Sequence, residues 1–488
     1  MLARLEQRVK PLSEKDLAKT SHVLLVLPKV ASLQALRALP GGGAIAALVA
    51  RRRVRPEDLM ESPLVGMLPH GGLASWASLD AERSVFEQQS LVRRALQPLL
   101  EEKPEQLAIA VFGDAAERRN AALRAVECAW RNGVPVPARK TKAAAKPLHR
   151  IDLHGAVLEA ELKRLGAVAE GNLLCRDLTL VPPNELTPGL YRERVRQLAK
   201  TRGWEIEEFD LKRLRRMGAG AFVAVAQGSA EEDAAIVRLR HRRRGAKSKV
   251  ALVGKGICFD TGGHNLKSAQ YMHGMHKDMN GSAVALGILL AATQTKLPVE
   301  VEAWLALAQN HIGPRAYKQN DVVTAIDGTT IEIIHTDAEG RMVLSDTLAL
   351  AARTRPNAIL DFATLTGSMK TALGNRYCGI FSNREALIDD AVAAGKATGE
   401  RVCPFPMDAD YESALDSAIA DVKQCSMEGQ ADHILAARFL RRFVHDVPWV
   451  HMDLSASTCS GGLGASASDV TGFGVAWGVE MLERLARR

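Results

Sequence analysis

From residue 249 to residue 453 the chain alternates short apolar runs with longer stretches patterned for helices, and this alternation limits the folds open to it. Residues 249–253, 299–307, 330–334, 358–363 and 447–453 read as strands. Residues 282–293, 343–353 and 433–443 read as helices. Such alternation predicts a mostly parallel or mixed sheet with helices on both faces. Ligands of these sheets gather beyond the carboxyl ends of the strands. Two polar clusters stand there in the sequence, each following a strand. One holds Lys255, Asp260, Lys267 and Asp278; the other is Thr336-Asp-Ala-Glu-Gly-Arg341.

With 488 residues the chain is too long for one ordinary core, so two or more domains are expected. His22-Val-Leu-Leu-Val-Leu-Pro28 and Leu107-Ala-Ile-Ala-Val-Phe112 read as buried strands of a small α/β domain, with helical stretches between them. Residues 134–147 are rich in proline and small side chains and look like a linker. A helix over about residues 153–174 leads onward. The expected organisation is residues 1–147, an N-terminal α/β domain and linker, then residues 148–488, a larger α/β catalytic domain with a mixed sheet flanked by helices.

Apolar residues make up 47% and charged residues 25%, the balance of an ordinary globular protein. No uninterrupted apolar run reaches the roughly 18 residues of a spanning helix, so no membrane segment is expected. Residues 1–20 are charged throughout and lack the apolar core of a secretory leader. Seven scattered cysteines, with no C-x-x-C pair, read as reduced thiols, and the expected location is the cytoplasm. The net charge is +8. Basic residues concentrate at Arg139, Lys140, Lys142, Lys146 and Arg150, and at Arg238, Arg240, Arg242, Arg243, Arg244, Lys247 and Lys249. Such runs either contact phosphate backbones or form solvated loops, and the loop reading is favoured.

The two clusters carry the chemistry. Asp260, Asp278, Asp337 and Glu339 crowded into one pocket would repel each other unless cations balance them. Two divalent metals supply four positive charges against four negative ones, which points to a two-metal hydrolytic site. Hard oxygen donors suit Mg, Mn and Zn. Asp337 and Glu339 are two apart, so an extended backbone presents both to one centre while Ala338 points away. On spacing alone, Lys255 reads as a surface lysine after a strand. Beside two dications its neutral amine becomes a ligand. No H-E-x-x-H helix, G-x-S-x-G elbow or G-x-x-x-x-G-K-S/T loop is present, so zincin, serine-hydrolase and phosphate-loop readings lack their residues.

Val253-Gly-Lys-Gly-Ile-Cys-Phe-Asp-Thr-Gly-Gly263, Lys267, Asp278-Met-Asn-Gly281 and Thr336-Asp-Ala-Glu-Gly-Arg-Met-Val-Leu-Ser-Asp346 resemble the leucine aminopeptidase family of dinuclear metallopeptidases. The likeness runs over about residues 160–483. It takes in Gly171-Asn-Leu-Leu-Cys-Arg-Asp177, Pro182-Pro-Asn-Glu-Leu-Thr-Pro188, Ala363-Thr-Leu-Thr-Gly367 and Thr471-Gly-Phe-Gly-Val475. The first domain resembles the family only in size and α/β character. By position, the resemblance implies that Lys255, Asp260, Asp278 and Glu339 hold one metal, Mn or Zn. Asp260, Glu339 and Asp337, the last with its carbonyl, hold the other. Lys267 then polarises the scissile carbonyl or stabilises the oxyanion, and Arg341 holds a bicarbonate that serves as general base. Met275 and Gly367 match the pocket for the first side chain, and Thr364 and Leu365 match the substrate cleft. The implied substrates are peptides with a free N-terminus, and the implied assembly is a homo-hexamer.

His335 departs from the family's usual Asn before Thr336, and His264 stands where an apolar or aromatic residue is more common. His273 and His276 flank Met275. These bear on substrate preference and pH dependence and leave the reaction type alone. The rival reading is an aminopeptidase-fold protein acting mainly as a DNA-binding regulatory factor. The basic runs permit it; the intact metal and catalytic positions speak against it.

Overall fold

Three sheets carry the chain in the computed structural model, which describes residues 1–30, 32–141 and 146–488. The chain forms two compact units. The first comprises Met1–Glu170, Lys396–Gly399 and Ser460–Thr471; the second Gly171–Gly395, Glu400–Cys459 and Gly472–Arg488.

The first unit is built on a six-stranded sheet in the order Arg4–Arg8, Arg150–His154, Gln106–Val111, His22–Leu27, Leu73–Ser78 and Leu64–Met67. All neighbours run parallel except the last pair. Side chains alternate across it. Leu24 and Val26 enter one core with Leu91, Leu96 and Val126, while Val23 and Leu25 enter another with Leu36, Ile45 and Val49. Burial on both faces explains why residues 22–28 read as an unbroken apolar run. Ser84 with Glu87 and Asp114 with Glu117 form capping boxes that start the two long helices, Val85–Glu101 and Ala115–Asn132.

The helix expected over 153–174 begins later, at Glu159, and runs to Thr179. Arg150-Ile-Asp-Leu-His154 alternates polar and apolar residues and is an interior strand of the first sheet. The first unit therefore continues past the division expected after Pro147. Of the expected linker, residues 134–141 and 146–147 carry neither helix nor strand, while residues 142–145, with Lys142, lie outside the described residues.

The second unit holds an eight-stranded mixed sheet, in the order Val402–Pro404, Cys378–Ser382, Trp449–Asp453, Ala358–Ala363, Ser248–Asp260, Val299–Asn310, Ala235–His241 and Glu205–Asp210. The four central strands run parallel, and antiparallel strands flank them. Two expected placements change. The strand expected at 249–253 continues to Asp260, so Lys255 lies within it. Residues 330–334 shorten to Thr330–Glu332 and pair with Val322–Thr324 and Val422–Lys423 in a separate small sheet.

Helix Asn280–Thr295 is buried on every side from Asn280 to Ala292. Glycines let its first turn lie directly on the sheet. A Cβ on Gly254 would stand 2.5 Å from Ser282 Cα, and one on Gly281 would collide with the Phe362 carbonyl oxygen. This backbone-on-backbone contact fixes the segment that carries Asp278. Gly281→Ala is expected to destabilise the protein by about 1–3 kcal/mol, the scale of an overpacked core. The midpoint of urea unfolding measures it, and an unchanged midpoint would refute the close-approach argument.

Candidate metal centre and active site

Strand Ser248–Asp260 delivers Lys255 and Asp260. Residues five apart on a regular strand point to opposite faces. Here the register against Val299–Asn310 slips: Ile257 pairs with Ala308, whereas Asp260 pairs with Asn310. The extra residue is a β-bulge, which turns Asp260 to the side Lys255 occupies. Asp278 lies two residues before helix Asn280–Thr295. Glu339 opens helix Glu339–Arg353. The extended presentation expected for Asp337 and Glu339 is thus corrected: the helix starts four residues earlier than the expected 343, and Glu339 is in its first turn.

Carboxylate oxygens of Asp260, Asp337 and Glu339 lie within 4.8 Å of one another. Lys255 Nζ stands 2.8 Å from Asp278 Oδ2 and 2.8 Å from Glu339 Oε1, and donates to the Thr364 carbonyl at 3.0 Å. Lys267 Nζ stands 2.9 Å from Asp260 Oδ2 and also pairs with Asp337. Each lysine therefore bridges two carboxylates. Lys255, Asp260, Asp278 and Glu339 are all buried.

Asn310, Tyr317 and Gln424, which sequence reasoning passed over, join motif residues in holding this group in place. Asn310 Nδ2 and the Gly262 N–H both donate to Asp260 Oδ1, each at 2.8 Å. Thr364 Oγ1 donates to Asp278 Oδ1 at 2.7 Å. Asn310 and the Tyr317 hydroxyl both donate to the Thr336 carbonyl. Gln424 accepts from the His335 N–H and donates to the Ala338 carbonyl, clasping the Asp337 loop from either side. Asp346, which ends the second motif, accepts from the Phe222 and Ile326 N–H groups and serves the fold. The only signal for Asn310 was a polar residue ending an apolar strand.

A cavity of about 1090 Å³ is lined by the metal-group residues together with Met275, Thr364, Leu365 and Gly367. Arg341 also reaches it and is buried. The guanidinium expected to hold bicarbonate donates to Asp432 Oδ1 at 2.7 Å and to the Gln424 carbonyl at 3.1 Å. His335 lines the cavity, and its Nδ1 accepts from the Asp337 N–H, which fixes the proton of the neutral ring on Nε2. Burial, then the charges of Lys267 and Arg341, lower its pKa, so it is neutral at neutral pH. His264 Nδ1 meets the Tyr317 carbonyl at 2.9 Å, outside the cavity lining. His273 lines the cavity and His276 does not.

The donors present fit hard divalent cations. They are carboxylates grouped within a metal's reach, and Glu339 Oε2 is buried without a hydrogen-bond partner. Burial pushes Asp278 up to about 6. Burial and then Asp260 push Asp337 up to about 7, and the same causes push Glu339 up to about 7. Burial opposes charge on both lysines, yet the carboxylates around them raise both above the ordinary lysine value. A charged Lys255 at 2.8 Å from two carboxylates needs at least one of them ionised. The upward push therefore belongs to the cluster as a whole.

The model of the "Cytosol aminopeptidase family, catalytic domain" matches residues 173–478. A probable cytosol aminopeptidase of Methylorubrum extorquens is 41% identical over 348 residues, 70% of this chain and 68% of that protein. The chain belongs to the cytosol aminopeptidase family. It is a hydrolase of the leucyl-type aminopeptidase class, as the resemblance implied. A probable cytosol aminopeptidase of Roseiflexus castenholzii is 42% identical over 296 residues, 61% of this chain and 60% of that protein. Among solved structures, the cytosol aminopeptidase from Coxiella burnetii matches with a TM-score of 0.82 at 26% identity, over 99% of each chain. The bottromycin maturation enzyme BotP in complex with Mn matches with a TM-score of 0.82 at 29% identity, over 96% of this chain and 100% of that one.

The rival DNA-binding reading gains nothing from these comparisons, and three of the seven basic residues between 238 and 249 are taken up in ion pairs. Arg238 meets Glu302 at 2.6 Å and lies over the Trp304 ring. Arg240 and Arg242 both pair with Glu205. No helix among the described residues is long and apolar enough to cross a membrane.

Unfolded carboxyls lose their protons near pH 4, whereas the folded, metal-free cluster of Asp278, Asp337 and Glu339 retains protons up to about 6 or 7. The stability they contribute is full below the unfolded value and is lost as the pH rises through the folded values. Added Mn2+ offsets that loss, so it is expected to raise the melting temperature more at about pH 8 than at about pH 5. Scanning fluorimetry of metal-stripped protein reads this; an equal rise at both pH values would contradict it.

Proposed function

We propose that the chain hydrolyses the N-terminal residue from peptides at a site holding two divalent cations. The observation carrying this reading is the convergence of four buried or half-buried carboxylates and two lysines in one cavity. Lys255, Asp260, Asp278 and Glu339 are the proposed ligands of one ion, and Asp260, Asp337 and Glu339 those of the other. The family and the Mn-bound structural neighbour favour Mn2+, with Zn2+ the alternative. Bound there, the ions supply Lewis acidity and lower the pKa of water, the nucleophile of hydrolysis.

The chain's own side chains do the rest. Asp278 receives the substrate's α-amine, which limits cleavage to one residue from the end. Met275 and Gly367 receive the first side chain, and Thr364 and Leu365 border the cleft. Lys267 keeps its proton beside Asp260 and Asp337 and stabilises the developing oxyanion. Lys255 would offer its Nζ, as a neutral amine, to the ion that Asp278 and Glu339 would help to hold. All of these residues lie in the second unit.

Elemental analysis should approach two metals per chain, and N-acetylated peptides should be inert. Lys267→Ala should keep its metals and lose on the order of 10²–10³ in turnover, the scale of one oxyanion donor. Lys255→Ala should lose affinity for one metal and become dependent on added metal. The reverse pattern in metal content would exchange the two roles, and full activity without metal would sink the reading. The proposed assembly, from the family resemblance, is a cytoplasmic homo-hexamer. Light scattering should give about six times the mass of one chain, and a stable, active monomer would refute it.

A further inference from the structure

Arg341 is 2% exposed, and a guanidinium so deeply placed needs an anion. The structure supplies one from the chain itself. Asp432 opens helix Asp432–Arg441, 91 residues further on, and gives Oδ1 to Arg341 at 2.7 Å. Its side chain is 28% exposed and lines the same cavity as Asp337, Glu339 and Lys267. Among the described residues, no hydrogen bond or ion pair engages its second oxygen, Oδ2. The backbone around it is held with care. Ala431, immediately before it, has φ +50°, a left-handed conformation that a non-glycine residue adopts at a cost. His433, immediately after it, is fixed through its N–H and its ring to Ser368 Oγ. Ala431 thus stores strain, and both neighbours fix Asp432 at the cavity wall with Oδ2 left unpaired among the described residues.

To a guanidinium, bicarbonate and an aspartate side chain are the same planar oxyanion. A second anion at Arg341 would face the charge of Asp432, which already holds the guanidinium, and like charges oppose it. We propose that Asp432 is this chain's built-in substitute for a dissolved bicarbonate at Arg341. The inference rests on the aminopeptidase reading above. Asp432 Oδ2 takes a proton from the attacking water as the new C–O bond forms at the scissile carbonyl. The C–N bond then breaks, and the same proton passes to the leaving amine nitrogen. No further reactant is needed, and the carboxylate is regenerated. Arg341 is a positioning residue that orients Asp432.

The test compares wild type, Asp432→Ala and Asp432→Asn, loaded with Mn2+, in buffers freed of carbon dioxide and then supplied with bicarbonate. The wild type should be indifferent to bicarbonate in kcat and KM. Asp432→Ala should keep its metal content and stay folded, melt lower because the Arg341 guanidinium loses its anion, and lose roughly 10²–10⁴ in kcat, the scale of a general base. Bicarbonate or formate should restore part of that loss. Asp432→Asn should lose as much without being restored, because its amide still fills the site at Arg341. Binding of 13C-labelled bicarbonate, followed by NMR, should be seen for Asp432→Ala and be absent in wild type, whatever the activity. A wild type that binds or requires bicarbonate overturns the proposal, as does an Asp432→Ala variant that keeps its kcat or is not restored. A wild type inactive on every peptide with a free N-terminus overturns the aminopeptidase reading instead.

Discussion

Two lysines set between four carboxylates are the constraint on which the second unit is organised. Lys255 holds Asp278 and Glu339, and Lys267 holds Asp260 and Asp337. Four carboxylates against two ammonium groups leave two negative charges uncompensated in a largely buried place. An unpaired buried charge is costly, so the arrangement is tolerated only because the surrounding backbone gives it no way to spread. Gly254 and Gly281 press the Asp278 segment against the sheet. Asn310 and Tyr317 hold the Thr336 carbonyl, and Gln424 clasps the loop that follows.

What the sequence revealed was whatever leaves a local trace. Apolar runs that are buried on both faces, such as residues 22–27 and 358–363, read directly as strands. The strand at Arg150–His154 was hidden because its pattern alternates and a strongly helical stretch follows it at once. Lys255 read as lying beyond a strand because glycines at 254 and 256 look like a break; in the fold they let the strand continue beneath the first turn of a helix. The candidate ligands were legible as a set because their residue types and spacings are specific. The bulge that puts Lys255 and Asp260 on one side was not, because register is decided by the partner strand.

Contacts between distant segments left the least trace. Nothing local to Asp432 links it to Arg341, and an aspartate opening a helix reads as a cap. The basic run 238–249 misleads in the opposite sense. It looks like a free cationic surface, yet Glu205, Glu207 and Glu302 from other strands meet Arg238, Arg240 and Arg242. In both cases the charge was visible and its partner was not.

Helix geometry shows why the fold alone does not satisfy its own site. Glu339 lies in the first turn of a 15-residue helix, where the positive end of the backbone dipole favours a carboxylate. A helix terminus contributes about 0.3–1 kcal/mol, at most about 2 in a partly buried setting. Burial and then Asp260 push Glu339 the other way, up to about 7 and against its ionised form, in spite of the helix terminus. The dipole is the smaller of the two, and the lysines are already shared between pairs of carboxylates. What remains is a demand for positive charge delivered directly to oxygen atoms that no protein donor reaches, among them Glu339 Oε2. Divalent cations bring that charge in a volume that carboxylates within 4.8 Å of one another can enclose.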